Sequence, residues 1–441
     1  MNLLITNTQE EQAHLILMCL RDVANRIVIT VTDGSLLSRW SGISAWSRHV
    51  DKRYTVPDCT EDWRAGRIAE DNFPAEEAYI RRIEAICAIE RIDVIFPSYD
   101  AEVLVLSKNR SRLAEQGILA VTPEFPALTH VLDKELTLRA AAAAGFPMPE
   151  TRVPADTSEL REAASQLQPP WVLKPRCNAH GANIRLVKTW AELESAYVEL
   201  TAIQPRPLMQ EYVPASSKRN YYLVVSPALE VVALHSPEVL RYRSIGIRTP
   251  CAVVETNTDA PLLQEVVALV KQLGVWGGMT VQTLVDERDG VPKLMELNAR
   301  FGHNLWHRTE FGINEPLAYL RLAQGQPAGE VPTWPPGVLL LDPLWDLIQL
   351  FFVGTGRSLG WLNKALGRTG PLLAEAGAER TPPLWPSLKS DYFGGRRRVT
   401  NPLNRGFLSD PLPPLARIGR TILFELMRRR TQAREAKRRG G

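Results

Sequence analysis

The sequence is poor in cysteine and contains no long apolar run. Its five cysteines are odd in number, widely spaced and without a CxxC pair among 441 residues. That pattern argues against a disulfide framework and a thiolate zinc site, and it favours a reducing compartment. No stretch of 18 uninterrupted apolar residues is present, so no transmembrane helix is predicted. Because the first six residues also lack the basic region of a signal peptide, we expect a cytoplasmic protein.

Length and composition are those of a globular protein of two or three domains. A chain of 441 residues is too long for one ordinary core, and 45% hydrophobic and 23% charged residues are usual values. The N-terminal region alternates strand and helix patterns, with strands at 2–6 and 26–31 around a helix at 10–24. An amphipathic helix follows at 79–91. Such alternation predicts a doubly wound parallel α/β domain over residues 1–120.

Two acidic residues follow a further predicted strand at 93–97. Asp100 and Glu102 lie at the carboxyl end of that strand, where doubly wound sheets bind ligands. Acidic side chains also stabilise the first turn of a helix. We favour the helix-start interpretation for both residues, with a substrate-binding role as the alternative.

The segment Leu294–Arg300 carries side chains suited to a metal and phosphate site. Side chains alternate between the two faces of a strand. We therefore expect one face to carry Glu296, Asn298 and Arg300, and the core face to carry Met295, Leu297 and Ala299. Mg²⁺ prefers oxygen ligands, usually one or two carboxylates with phosphate oxygens. An arginine suits a phosphoryl group that gains charge during transfer. An amphipathic edge strand without such chemistry is the alternative.

A second candidate phosphate contact follows the short apolar run Trp171–Lys174. A polar loop containing Gly181 comes next, and the apolar segment Ile184–Val187 follows it. This order predicts a hairpin whose tip covers phosphates through backbone N–H groups, with Lys174 as a point charge. A lysine beside an ordinary hairpin is the alternative. Residues 208–213 form another predicted strand, which the following proline terminates.

The order of these segments resembles the ATP-grasp superfamily, most closely its carbamoyl-phosphate-synthase-like and carboxylate–amine ligase branches. No single segment is specific, and the resemblance rests on the ordered set, which covers residues 1 to 325. The matching segments are Asp133–Lys134, Gly145–Pro149, Val172–Pro175, Gln210–Val213 and the residues Gln282, Glu296, Asn298 and Arg300.

The resemblance implies a role for each matched residue. Lys134 and Lys174 would contact the phosphates of ATP, and Arg300 would stabilise the transferring phosphoryl group. The adenine would be bound, largely through backbone groups, by Gln210, Glu211 and Val213. One or two Mg²⁺ ions, with Mn²⁺ as a substitute, would be held by Gln282, Glu296 and Asn298.

The sequence departs from the family pattern in two places. Loop 176–183 has one glycine, Gly181, where relatives often carry two or three. Backbone approaches phosphates most easily where there is no Cβ. Relatives also place a glycine and an acid for the ribose after the hinge strand, and segment 215–220 has neither. Asn220 is the expected substitute.

The same resemblance predicts an ATP-grasp domain over residues 121–325, with a small lobe over 121–205 and a large lobe over 206–325. Relatives bind the acceptor substrate at a segment that here contains three arginines, which suit a carboxylate or phosphate. These are Arg241, Arg243 and Arg248. A solvated loop is the alternative. His303 is expected to contact substrate or to begin a helix.

Residues 326–441 are Pro-rich and lack the family pattern. Segment 396–441 has 13 basic and 3 acidic residues, a net charge of +10, whereas the remainder has 39 and 46, a net charge of −7. Residues 415–430 read as an amphipathic helix ending in three arginines, and 338–353 is a second apolar stretch. This pattern predicts peripheral contact with an anionic membrane at its inner face, with packing on the core as the alternative. Without interleaved aromatics in the tail, no nucleic-acid partner is expected.

The resemblance implies an ATP-dependent ligase that acts on a small-molecule carboxylate and an amine. Mg·ATP would convert the carboxylate to an acyl phosphate, which an amine or another nucleophile attacks. A bicarbonate-activating carboxylase of the same family is one alternative. A non-catalytic nucleotide-binding module that recruits partners to a membrane is another. The glycine-poor loop favours that module, and the complete metal and phosphate set of the sequence opposes it.

Overall fold

The computed structural model describes most of the chain, and several sequence-based predictions fall outside the described part. Gly181, Arg243, Arg248 and the basic segment from 411 onward lie there, as does the side chain of Arg241. The described residues are 1–7, 11–33, 43–178, 183–242, 251–343, 392–400 and 410. Among the described helices, none is both long and apolar enough to cross a membrane.

The N-terminal region forms a parallel five-stranded sheet in the order β3-β2-β1-β4-β5, which confirms the predicted doubly wound α/β architecture. The strand order reverses between β1 and β4, and such a reversal leaves a crevice at the carboxyl ends of the strands. The strands are β1 (Asn2–Ile5), β2 (Arg26–Thr32), β3 (Lys52–Val56), β4 (Val94–Phe96) and β5 (Leu119–Ala120). The helices are α1 (Glu11–Leu20), α2 (Glu61–Arg64), α3 (Pro74–Glu90), α4 (Asp100–Lys108) and α5 (Arg110–Ala114).

Continuous apolar runs explain this sheet. Leu3, Leu4 and Ile5 of β1 are all fully buried, as expected for a central parallel strand covered on both faces. In helix α3, which contains the amphipathic helix predicted at 79–91, the isoleucines at every third position, Ile80, Ile83 and Ile86, are buried, whereas Ile89 is exposed. The reason is geometric, because a three-residue spacing drifts off a helix face and Cys87 takes the buried position instead.

Two helices, α6 (Phe125–Leu132) and α7 (Lys134–Ala143), connect this sheet to an antiparallel four-stranded sheet in the order β6-β9-β7-β8. Its strands are β6 (Thr151–Arg152), β7 (Trp171–Lys174), β8 (Arg185–Val187) and β9 (Leu208–Glu211), and its helices are α8 (Thr157–Gln166) and α9 (Trp190–Ile203). Pairing of Trp171 with Val187 confirms the predicted hairpin. One face of the sheet forms a separate small core with α8 and α9.

The third sheet has eight strands in the order β15-β14-β10-β12-β13-β16-β17, and β11 pairs with β10. Two of its strands, β16 and β17, come from beyond residue 325. The strands are β10 (Ala215–Val225), β11 (Val231–His235), β12 (Glu238–Tyr242), β13 (Cys251–Glu255), β14 (Gly277–Asp286), β15 (Pro292–Asn298), β16 (Leu339–Leu341) and β17 (Arg398–Thr400). The helices are α10 (Leu263–Leu273), α11 (Trp306–Thr309) and α12 (Glu315–Ala323).

Aromatic rings join the third sheet to the N-terminal sheet. Phe96 of β4 lies 6.3 Å from the ring of Phe301 and 5.8 Å from that of Tyr319. These rings pack against the first residues of β14, where a Cβ at Gly278 would lie 2.5 Å from Phe301. Gly277 has a φ of +107°, and a Cβ there would lie 2.5 Å from Tyr319. The two glycines therefore permit the close packing that fixes β14 against the N-terminal domain.

Two neighbouring glutamates of helix α3 form ion pairs that differ in burial, and these pairs allow a stability test. Lys108 and Glu76 form a fully buried pair at 2.7 Å, whereas Arg81 pairs with Glu77 at the same distance on the surface. Lys108→Met would leave the Glu76 carboxylate buried without its cation, and we expect a loss of about 3–5 kcal/mol in the free energy of unfolding. Arg81→Ala should change it by no more than about 0.5 kcal/mol. Urea denaturation measures both, and equal effects would contradict this account.

Candidate active site

Three neighbouring strands place polar side chains on one face of the third sheet. Asn220 on β10 is directly opposite Gln282 on β14, which in turn is opposite Glu296 on β15. A second row lies two residues further along the same strands, where Tyr222 is opposite Thr280 and Thr280 is opposite Asn298. Residues opposite one another in an antiparallel sheet share a face. We call this surface the polar face; its members are Asn220, Tyr222, Thr280, Gln282, Glu296 and Asn298.

A β-bulge interrupts the pairing of β14 with β15 at this face. The register passes from Gln282–Glu296 to Thr283–Leu294 and leaves Met295 unmatched. The expectation that Met295 lies in the core is therefore wrong: Leu294 is buried instead, and Met295 is only half-buried. A bulge adds one residue to one strand and shifts the alternation of side chains. Simple alternation from sequence does not reveal this shift.

Lys174 contacts the strand that carries part of the polar face, and a second buried lysine, Lys134, lies near Lys174. The Nζ atom of Lys174, at the end of β7, donates a hydrogen bond to the carbonyl of Met295 at 3.3 Å. Lys134, the first residue of α7, donates to the carbonyl of Asn178 at 3.2 Å. The residues are only 6% and 8% exposed, respectively. Among the described residues, no carboxylate lies within ion-pairing distance of either ammonium group. Because buried charges are normally paired, this arrangement is suited to an anionic ligand.

The environment of Lys174 destabilises its charged form. The pKa of Lys174 is lowered from 10.5 to about 7, mainly by burial and then by the nearby charge of Lys134, while Glu296 partly opposes the shift. An ammonium group whose pKa lies near neutrality becomes fully charged when a phosphate approaches it. The lysine is therefore poised to respond to a bound anion.

Helix α7 is fixed to the loop that follows β7. Asp133 caps the helix by accepting a hydrogen bond from the backbone N–H of Glu135 at 2.9 Å. Its carboxylate also accepts from the Arg176 guanidinium, with Nε at 3.1 Å. Arg176 in turn pairs with Glu135 at 3.2 Å. These bonds hold Lys134 beside the loop that leads from Lys174.

The predicted adenine strand is held by side-chain bonds. The Gln210 side chain donates to the Thr151 hydroxyl at 2.7 Å. Glu211 accepts from Arg288 at 2.9 Å and pairs with Lys293 at 3.4 Å, both from the β14–β15 hairpin. Both side chains already form hydrogen bonds within the protein. An adenine base would therefore bind mainly to backbone groups of this strand. Val213, two residues beyond Glu211, is buried.

Arg300 lies just beyond the end of β15 and contacts the N-terminal domain. Its guanidinium pairs with Asp100 at 2.8 Å and donates to the Asn298 side chain at 3.3 Å. Asp100 is the first residue of α4, as expected, but its pair with Arg300 was not foreseen, because the residues are 200 positions apart. Glu102 is buried, accepts a hydrogen bond from Thr6 at 2.5 Å, and has its pKa raised to about 8 by burial.

A buried ion pair supports the other end of the polar face. The Arg308 guanidinium lies 4.2 Å from the centre of the Tyr222 ring and pairs with Glu315 at 2.7 Å. The Tyr222 hydroxyl accepts from Asn304 at 2.6 Å and from Asn220 at 3.3 Å. Asn220, the expected ribose contact, also lies in the row of Gln282 and Glu296. Sequence reasoning missed Arg308 and Glu315, which belong to no local motif.

His303 begins a short 3₁₀ turn, in agreement with one of its two expected roles. Its neighbour His307 is buried between the rings of Trp306 and Tyr222, and burial lowers the pKa of His307 to about 3.

The polar face fits Mg²⁺ held together with phosphate. Glu296 supplies one carboxylate, and the amide oxygens of Gln282 and Asn298 lie on the same face. No cluster of three or more acidic, histidine or cysteine side chains suited to a metal occurs in the described part of the chain. One carboxylate is enough for Mg²⁺ when phosphate oxygens and water complete its coordination.

Comparison with known proteins shows which family this chain resembles. A family profile described as an ATP-grasp domain matches residues 131–303. The D-alanine–D-alanine ligase of Delftia acidovorans is 27% identical over 203 residues, which cover 43% of this chain and 62% of that protein. The carbamoyl phosphate synthase large chain of Deinococcus radiodurans is 26% identical over 234 residues, covering 50% and 22%. The chain thus spans less than two thirds of either relative.

Solved structures show the same fold at low sequence identity. The biotin carboxylase of Campylobacter jejuni is 18% identical with a TM-score of 0.55, covering 75% of this chain and 72% of that one. The L-amino acid ligase of Bacillus licheniformis is 16% identical with a TM-score of 0.52, covering 75% and 77%. Profile, relatives and fold agree that residues 131–303 match an ATP-grasp domain, as the ordered segments of the sequence predict.

Proposed function

We propose that the protein is an ATP-dependent ligase that activates a small-molecule carboxylate as an acyl phosphate and couples it to an amine. The observation that carries this proposal is the pair of buried lysines, Lys134 and Lys174, that have no carboxylate partner among the described residues. Lys174 contacts β15, which with β14 offers oxygen ligands for Mg²⁺, and Lys134 lies near Lys174. Such a site has the charge and donor set for a nucleotide triphosphate.

Each residue then has a physical task. Lys134 and Lys174 neutralise phosphate charge in a site where burial strengthens electrostatic interactions. Mg²⁺, held by Gln282, Glu296 and Asn298, would withdraw charge from the phosphate oxygens. Arg300 stabilises the charge that develops on the transferring phosphoryl group. Phosphoryl transfer needs little covalent help, so positioning and charge stabilisation are the main contributions of the protein.

Two similar proteins support the proposal that this protein forms an amide bond. One relative is a D-alanine–D-alanine ligase, and one structure of the same fold is an L-amino acid ligase. The direct experiment is a screen for ADP release with the twenty L-amino acids and bicarbonate as activated substrates and hydroxylamine as the nucleophile. Hydroxamate formation identifies an acyl phosphate. ADP release with bicarbonate alone would favour the carboxylase alternative.

The role of Glu296 gives the first functional prediction. Glu296→Ala should lower the rate of ADP release at least ~10²-fold, because it removes the one carboxylate proposed to hold Mg²⁺. Asp289→Asn, at the turn of the same hairpin, is the control and should leave the rate unchanged. Near-normal turnover of Glu296→Ala would refute the proposed metal site, provided that its circular dichroism matches the wild type.

The buried charge of Lys174 is expected to lower the stability of the nucleotide-free protein and to strengthen nucleotide binding. Its pKa of about 7 in the folded protein is below its unfolded value of 10.5. The folded state therefore binds fewer protons, and wild-type stability should rise with pH between those two values. Lys174→Met removes the buried charge, and we expect a gain of ~0.5–2 kcal/mol in the free energy of unfolding without nucleotide, and no such pH dependence.

The same variant should lose the thermal stabilisation that Mg·ATP gives the wild type. Lys271→Met, which alters an exposed lysine on α10, is the control and should change stability by no more than about 0.5 kcal/mol and keep the response to ATP. If Lys174→Met is less stable than the wild type and still responds to ATP, the lysine has a structural role.

The charge of segment 396–441 supports a further proposal, peripheral binding to anionic membranes. Each basic residue near an anionic leaflet contributes about 1 kcal/mol, and salt screens that attraction. The full-length protein should sediment with phosphatidylserine vesicles at low salt and be released at high salt. Removal of residues 411–441 should abolish sedimentation and keep ATP turnover. If the 441-residue chain does not sediment with these vesicles at low salt, membrane binding is refuted.

A further inference from the structure

Asp100 has one occupied and one unoccupied carboxylate oxygen. Arg300 approaches Oδ2 with both Nε, at 2.9 Å, and Nη2, at 2.8 Å. The other oxygen, Oδ1, is buried and accepts no hydrogen bond from any described residue. Asp100 as a whole is only 3% exposed. A buried carboxylate oxygen without a donor is costly, and such an atom in a native structure calls for an explanation.

The position of Asp100 indicates what that explanation is. The residue begins α4 at the carboxyl end of β4, at the reversal of strand order where doubly wound sheets bind ligands. Through Arg300 it also touches the polar face, because the same guanidinium donates to Asn298 at 3.3 Å. Oδ1 therefore lies where the N-terminal crevice meets the proposed site of phosphoryl transfer.

Charge decides which kind of ligand group fits there. An anionic oxygen repels a carboxylate or bicarbonate and attracts a donor, most strongly a cationic one. Arg300, on the other oxygen, attracts the opposite kind of group, the acyl phosphate. The pair thus presents an anionic and a cationic contact side by side, as a reaction between an amine and an acyl phosphate requires.

We propose that Oδ1 of Asp100 binds the amino group of the second substrate, which makes Asp100 the residue that selects an amine as nucleophile. This inference rests on the proposed ligase function. The amine nitrogen attacks the acyl carbon, the C–N bond forms, and the C–O bond to phosphate breaks. The N–H proton passes to the departing phosphate. Acyl phosphate and neutral amine thereby give amide and hydrogen phosphate.

The substitution Asp100→Asn tests the two oxygens separately. Asparagine keeps a carbonyl oxygen for Arg300 and places an NH₂ group where Oδ1 lies, so it retains the support of Arg300 and opposes an amine. The probes are hydroxylamine, at a concentration high enough to react without a binding site, and ammonium, glycinamide and L-alanine as amines. The carboxylate is the one that gives most hydroxamate with the wild type.

We expect Asp100→Asn to raise the KM of the amine that the wild type couples by about 10- to 100-fold, as loss of a hydrogen bond to a charged group predicts, and to lower the rate of hydroxamate formation by a much smaller factor. Asp100→Glu, which restores a carboxylate, should recover part of the affinity. An unchanged KM would overturn the proposal, and so would an equal loss with hydroxylamine and amine, which would assign Asp100 only to support of Arg300.

Failure of the ligase proposal itself has a different signature. A wild-type protein that forms no hydroxamate with any carboxylate refutes the acyl phosphate, and the amine site with it. If Asp100→Asn does not fold, Asp100→Glu alone decides, because displacing the carboxylate by one methylene should raise the amine KM by a larger factor than it lowers the rate of hydroxamate formation. The same KM as the wild type would overturn the proposal.

Discussion

The burial of two ammonium groups, those of Lys134 and Lys174, is the constraint that organises this structure. Burying a charge without a counterion is unfavourable, and a fold tolerates it only where the surrounding elements hold the side chains in place. Carbonyl oxygens on the loop after β7 and on β15 accept hydrogen bonds from these lysines. The capping bonds of Asp133 fix one lysine, and the sheet fixes the other. The stability lost here is what an anionic ligand would restore on binding.

Strand β15 and the residues that follow it connect all three sheets. Lys174 joins the small sheet to this strand, Arg300 joins it to α4, and the Phe301 ring packs against Phe96 of the N-terminal sheet. A change in the position of any one sheet would therefore be felt at the polar face. This arrangement explains why so many site residues come from segments far apart in sequence. It also explains why the glycines at the start of β14 matter, because they let the rings approach.

Sequence reasoning reached the parts of the structure that depend on local pattern. Alternating strands and helices gave the doubly wound sheet, and the polar turn after Trp171–Lys174 gave the hairpin. What it missed depends on tertiary contact or on a break in periodicity. Period-two alternation placed Met295 in the core, because a bulge leaves no local signal. The Asp100–Arg300 and Arg308–Glu315 pairs were missed because their geometry is set by the packing of separate elements.

The unmatched residue Met295 bears on how this hairpin can change in length. Leu294 and Leu297 are the core residues on either side of it, and a strand one residue shorter would still alternate regularly between them. Loss of the residue would therefore preserve packing and pairing, and would remove only the carbonyl that receives Lys174. Its presence has no explanation in the core. The extra residue between Leu294 and Glu296 thus serves the contact with Lys174 and not the packing of the core.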